Sequence, residues 1–201
     1  MRIAIASRPM SLQLRPIRAE DSAQILAWRN APHVAAYMYS DHAIDQAEHD
    51  AWFAQALAAA DRRYWIIEQD GAGVGLANLT RIDAVNRKCD WAYYLGETTT
   101  RGQGIGAGVE YIVLQHVFGP LGLNKLCCEV FLDNEAVWKL HQSFGFTREA
   151  LLRDHVFKAG VFRDVVGLGI LARDWAAARP ACEARLREKG RDPASLRIID
   201  G

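Results

Sequence analysis

Residues 100–108 read TRGQGIGAG: an arginine, then four glycines at alternate positions. They lead straight into a helical pattern at Val109, Ile112, Val113, His116 and Val117 that Gly119-Pro120 ends. Glycine weakens helices and strands alike, so its repetition here needs a local reason. Gly102, Gly104 and Ala107 satisfy the loose dinucleotide fingerprint. That motif, however, sits at the end of a strand inside a parallel βαβ unit, whereas here hairpins precede and ETTT separates Gly96 from Arg101. A phosphate-binding P-loop needs Gly-Lys-Ser/Thr, and this segment continues as Gly106-Ala107-Gly108. What remains is a general anion device. Small residues let the backbone approach, N–H groups converge at a helix N-terminus, and Arg101 adds a charged donor. An ordinary glycine-rich loop is the alternative.

The 201 residues are half apolar, enough for one domain with a real core. Lys+Arg and Asp+Glu are equal at 24 each, which argues against the broad basic surface of a nucleic-acid binder. The opening MRIAIASRPM is too short in apolar residues for a signal peptide, and no run reaches the length of a membrane span, so a cytoplasmic protein without membrane partners is expected. Cysteines 89, 127, 128 and 182 form no C-x-x-C pair or zinc spacing; no metal is expected, and Cys127 and Cys128 read as small core residues of a strand.

Working outward, residues 11–17 alternate as an opening strand, with Pro16 suggesting an edge or a strand end. Helices are predicted over 20–29 and 45–60, the second entered by Asp45 three residues before Glu48. RYWIIEQ, VGLANLTRID and DWAYYLG, joined by short turn-rich links, read as an antiparallel meander. LCCEVFL is a buried strand, residues 136–144 a helix, and ALLRDHVF with VFRDVVGLGIL two more strands around KAG. The order is βααβββαβαββ, with a surface helix and a loose end expected after Arg173.

Arg101 to Gly106, RGQGIG, resembles the R/Q-x-x-G-x-G/A signature of the Gcn5-related N-acetyltransferases (the GNAT family), and EVFLDNEAVWKLHQSFGF resembles that family's strand, asparagine turn and helix. The resemblance implies a mixed α/β GNAT fold. Its central twisted sheet has about seven strands, mostly antiparallel and splayed in the middle, with about four flanking helices. Residues 1–10 are then an N-terminal segment, 11–175 the acetyltransferase domain and 176–201 a helical or loose tail. It also implies acetyl-CoA as cosubstrate: pantetheine along Tyr94, Leu95 and Gly96, an amide near Leu95 for the thioester oxygen, and pyrophosphate on Arg101, Gly102, Gln103, Gly104, Ile105 and Gly106. Asn134 resembles the family's cofactor-side asparagine.

Within the family the closer likeness is to the UDP-4-amino-sugar N-acetyltransferases of pseudaminic acid synthesis, through WRN at 28–30, YMYS at 37–40, His49 with Trp52-Phe53, LTRID at 79–83 and LRDHVFKAGVFRDV. Arg29, His49, Thr80 and Arg81 would meet the nucleotide, and Met38, Tyr39, Trp52, Phe53 and Trp91 would form an apolar, stacking surface. Each has a plainer alternative: Trp52 and Phe53 as core, His49 as a surface histidine, Arg29 and Arg81 as solvated arginines. The competing functions are acetylation of a protein N-terminus or a small polyamine, and a non-catalytic acyl-CoA-binding module. A homodimer through the terminal strands is compatible with this plan.

Direct attack by the amine in a ternary complex needs no covalent enzyme step. Glu129 is the candidate to take or relay the amine proton, with an outward-facing strand glutamate as the alternative. Relatives carry tyrosine as the acid in the helix after the asparagine turn; here that position holds His141, with Tyr94 as a fallback.

Overall fold

A computed structural model describes residues 11–100 and 102–199, with only the backbone of Thr100. Arg101 and residues 1–10 therefore lie outside the described residues. The chain opens with β1 (Leu12–Pro16), α1 (Ser22–Asn30), a one-turn α2 (Pro32–Ala35) and α3 (Gln46–Ala58). The meander β2 (Arg63–Gln69), β3 (Ala72–Asp83) and β4 (Lys88–Leu95) follows. Then come α4 (Ile105–Phe118), β5 (Lys125–Phe131), α5 (Glu135–Ser143), β6 (Thr147–Lys158), β7 (Val161–Leu171), α6 (Ala172–Glu188) and β8 (Arg197–Ile198).

All the strands join one sheet in the order β6-β7-β5-β4-β3-β2-β1-β8, eight rather than about seven because the expected loose end supplies a short parallel partner to β1. Local signals account for much of the plan. Asp45 accepts the Glu48 N–H at 2.9 Å and starts α3, while Glu48 turns its carboxylate to His42. Asp70-Gly71 and Ala159-Gly160 both have positive φ, the two-residue turn whose twist matches a hairpin. Pro16 is not on an edge strand, but β8 pairs only with Gln13 and Leu14, so at Pro16 no strand asks for the missing N–H.

Helices cover both faces. α1 and α3 pack Ile25, Trp28 and Phe53 on Ile66 and Leu76, and α4, α5 and α6 cover the other face. The one-sided pattern expected of α4 is exceeded: Tyr111 and Leu114 are buried as well, because α6 lies on its outer side. Trp175 donates to Gln115 at 3.2 Å and Tyr111 to Glu183 at 3.0 Å, so the tail helix is anchored in the core and runs on through Pro180.

The β4–β5 pairing is parallel and short. Lys88, Cys89 and Asp90 face Lys125, Leu126 and Cys127, and the register then ends while both strands continue. That divergence is the splay the family resemblance implies.

Beneath β1, Arg15 forks onto Asp21 with two 2.7 Å bonds and reaches Glu68 at 2.7 Å. Burial pushes the Asp21 carboxyl up, but Arg15 and the Arg18 N–H bring it below its ordinary value. A lowered folded pKa adds stability that is present above the unfolded value near ~3.9 and lost as pH falls through the folded one. Asp21→Asn should therefore cost about 2 kcal/mol at pH 7 in urea unfolding. The gap to wild type should narrow below about pH 4; a gap of constant size would assign the loss to packing.

Candidate active site

The divergence of β4 and β5 opens a cavity of about 460 Å³. Among its lining residues are Tyr37, Met38, Tyr39, Arg81, Trp91 and Glu129, with Asp90 and Glu149 adding carboxylates. Its roof is the segment between α2 and α3, tied to the β6–β7 hairpin. Lys158 donates to the Ser40 carbonyl at 2.6 Å, the Ala159 N–H to Asp41 at 2.8 Å, and Arg163 to the Ala36 carbonyl at 3.1 Å. The roof's Tyr39 hydroxyl donates to Glu129 at 2.8 Å, and burial together with that bond raises the phenol's pKa, so it stays a donor. Asp90 is paired with Arg81, and Glu149 accepts from Lys125 at 2.6 Å. Among the described residues lining the cavity, Glu129 is the carboxylate with no cation partner.

The substrate residues expected from sequence are only partly brought together. Met38, Tyr39, Arg81 and Trp91 share this cavity with Glu129, and Thr80 pairs with Asp90 across β3 and β4 without joining the lining. Arg29, His49 and Trp52 line a separate cavity of about 140 Å³ with Ile44 and Glu48. Phe53 is core, 6% exposed. His49 is neither a surface residue nor an open ligand: it is 1% exposed, its Nε2 3.0 Å from the Ser22 hydroxyl and its ring against Trp52 and Phe53. Arg29 donates to the Ser40 hydroxyl at 3.3 Å, and burial lowers its pKa.

Of the main-chain ledge at Tyr94, Leu95 and Gly96, the last is already engaged: its N–H donates to Val74 at 2.9 Å and its carbonyl lies 3.0 Å from His33 Nε2. Successive amides of a strand point to opposite edges, so the Leu95 N–H is aimed at the β5 side and into the opening. The Tyr94 side chain packs with the α1–α3 cluster, on the sheet face opposite Trp91. Its hydroxyl is buried without a partner among the described residues, and burial raises its pKa.

At the glycine segment, Gly102 and Gly104 adopt φ of +79° and +69°, and Gly104 is the N-cap of α4 with no side chain closing the helix end. The first amides of α4 are thus free of capping side chains. Gln103 is held on three sides: its amide nitrogen donates to the Thr99 carbonyl at 3.1 Å, its side-chain oxygen accepts from Gln69 at 2.8 Å, and its carbonyl accepts from Arg191 at 2.7 Å. Ile105 is buried, and a Cβ at Gly106 would stand 2.6 Å from the Tyr93 hydroxyl, so only glycine fits. Asn134 begins α5 with no capping bond from its side chain. These features suit an anion at the mouth of α4.

His141 is 3% exposed, with Trp91 and Phe146 against its ring and Nδ1 3.0 Å from Glu110 Oε1. Glu110 is fully buried, its other oxygen without a partner among the described residues. Burial raises its pKa and His141 draws it back. Sequence reasoning missed Glu110, although an acid inside the apolar run GVEYIVL was a usable signal; nothing local marked Arg191.

The family model for the acetyltransferase (GNAT) domain matches residues 11–147, and the chain belongs to this family, whose members take the acetyl group from acetyl-CoA. A spermidine N(1)-acetyltransferase of Escherichia coli (strain K12) is 23% identical over 167 residues, covering 83% of this chain and 89% of that one. A putative ribosomal N-acetyltransferase of Bacillus subtilis (strain 168) is 28% identical over 106 residues, 53% of this chain and 57% of the relative. The crystal structure of the Vibrio cholerae spermidine N-acetyltransferase with CoA and spermine superposes with a TM-score of 0.78 at 21% identity, covering 83% of this chain and 98% of that one. Among the described residues no helix is long and apolar enough to cross a membrane, and no cluster of three or more His, Cys, Asp or Glu could hold a metal.

His141→Ala would strand the Glu110 carboxyl and should cost about 3 kcal/mol at pH 8. Without His141 the folded pKa of Glu110 rises further above its unfolded value. The folded state then holds a proton that the unfolded chain releases, so stability falls as pH rises between the two values. Urea midpoints should show the larger loss at pH 8 and partial recovery at pH 5; equal losses would mean a cavity effect alone.

Proposed function

We propose that this chain transfers the acetyl group of acetyl-CoA to a primary amine of a small, multiply charged amine of the polyamine type. The observation that carries this reading is the charge of the β4–β5 cavity. Of its three carboxylates, Asp90 is paired with Arg81 and Glu149 with Lys125, which leaves the Glu129 charge unopposed among the described lining residues. A cationic amine is drawn to such a surface, whereas the diphosphate of a UDP-sugar would be repelled. The spermidine acetyltransferases among the relatives support the same choice. The sugar-nucleotide substrate, the first expectation from the closer likeness, loses ground on geometry too, because the arginines expected to meet one nucleotide, Arg29 and Arg81, line different cavities.

Acetyl-CoA supplies an activated thioester. The mouth of α4 takes its pyrophosphate through uncapped amides, and the Leu95 N–H faces the acyl oxygen. Glu129 anchors the ammonium and accepts the proton that the nitrogen must lose before it can attack. With Nδ1 of His141 held by Glu110, Nε2 is the nitrogen left to give a proton to the departing thiolate, which leaves as the thiol. Tyr94, on the other sheet face, has no part in this scheme.

Thiol release from acetyl-CoA with spermidine, spermine, N-terminal peptides and a UDP-4-amino-sugar tests the reading. Polyamines should be turned over at least about tenfold better than the rest, the size of one charge-assisted contact. Preference for the peptide would support a protein acetyltransferase instead, and binding without thiol release a non-catalytic module. Glu129→Gln should raise KM for spermidine roughly tenfold and lower kcat, with KM for acetyl-CoA unchanged. An unaltered spermidine profile would remove Glu129 from the site.

A further inference from the structure

Arg191 lies beyond residues 11–147, the span of the family model, yet it reaches the glycine segment. α6 ends at Glu188, and Gly190 turns the chain with φ of +74°, its N–H on the Arg187 carbonyl at 2.9 Å. The Arg191 N–H then donates to the Leu186 carbonyl at 2.9 Å, which closes the helix end and sends the side chain back toward α4. Its stem passes Gly108 and its Nε lies 3.8 Å from where a Cβ on Gly104 would stand. A Cβ at Gly104 would meet Arg191 in ordinary contact, and one at Gly108 would strike Leu12.

The guanidinium ends against the loop. Arg191 is 3% exposed, one Nη donates to the Gln103 carbonyl at 2.7 Å, and the other Nη is buried with no partner among the described residues. Arginine keeps its charge in proteins, so this is a buried cation with an unmet donor, behind a helix N-terminus that is itself positive. The Asp70 charge offsets part of this burial but leaves the second Nη without a hydrogen-bond partner among the described residues, so an anion at the loop would be favoured. The bond to Gln103 also has a geometric effect. In a planar trans peptide the carbonyl and the next N–H point in opposite directions, so holding the Gln103 oxygen inward turns the Gly104 N–H outward, to the open side of the loop. Gly104, in the left-handed region at +69°, can accept that orientation.

We propose that Arg191 is a positioning residue for the pyrophosphate of acetyl-CoA: it fixes the 103–104 peptide with its N–H toward the ligand and supplies a buried positive charge behind the loop. The inference rests on the reading that the pyrophosphate lies at the mouth of α4.

The test compares two acyl donors, acetyl-CoA and S-acetylpantetheine, which carries the same thioester without the diphosphate. Arg191→Met should raise KM for acetyl-CoA roughly tenfold, leave kcat at saturation within about twofold, and leave kcat/KM for S-acetylpantetheine at the wild-type value. Arg191→Lys, which keeps the charge on a compact head, should recover part of the acetyl-CoA affinity; it also serves the same comparison if Arg191→Met does not fold. Equal losses with both donors would show a purely structural role and overturn the proposal, as would an unchanged KM for acetyl-CoA. Gly106→Val separates the two levels of the argument. If it raises KM for acetyl-CoA while the Arg191 variants do not, only the role of Arg191 fails; if neither does, the pyrophosphate is not at this loop.

Discussion

The parallel ladder between β4 and β5 stops after Asp90 and Cys127, and the rest of the molecule is arranged around that break. Strand edges left open inside a protein need partners for their main-chain groups. On the β3 side the edge is closed internally: Gly96, just past β4, turns its N–H to Val74 and its carbonyl to His33. On the β5 side is the opening itself, into which the Leu95 amide is directed. A close approach makes this possible, since a Cβ on Gly96 would strike the ring of Trp28, and that indole in turn donates to Glu97 at 2.9 Å.

Each side of the break has its own support. Behind β4 on one face, Tyr93, Trp91, His141 and Glu110 form a sealed group under α4 and α5. On the side of the roof, Arg163 stacks over Phe131 at 3.9 Å and bonds Asp133 at 2.6 Å, so the cation that grips the roof also fixes the end of β5. Phe131 in turn supports Tyr39, with ring centroids 5.4 Å apart.

What the sequence made legible was local. Turn glycines, the Asp45 cap, strand alternation and the glycine entry to α4 each state their structure within a few residues, and they yielded the element order and the family. The errors came where the structure depends on distant partners. The acid face of His141 is made by Glu110, 31 positions away, and Gln103 meets Arg191 across 88. Neither separation leaves a periodic trace. The tail helix reads as surface because Trp175, Cys182 and Leu186 are spaced among arginines and alanines, while their burial depends on α4 being apolar on its outer side as well. The resemblance to the sugar-nucleotide enzymes places Arg29 and Arg81 on one ligand; the fold puts them in different cavities.

The ties from Lys158 and Ala159 to the roof each span 118 positions, and Ile199 reaches back to Leu14 with a 2.8 Å bond. Contacts so remote in sequence close late, because a long loop must be ordered before they contribute anything. During synthesis, then, the amine cavity has no fixed ceiling until the second hairpin has left the ribosome, and the opening strand waits for the final ten residues to gain its outer neighbour. A chain stopped after α5 has the glycine loop, but its cavity lacks both the wall that β6 and β7 supply and the tether that sets Tyr39 over Glu129.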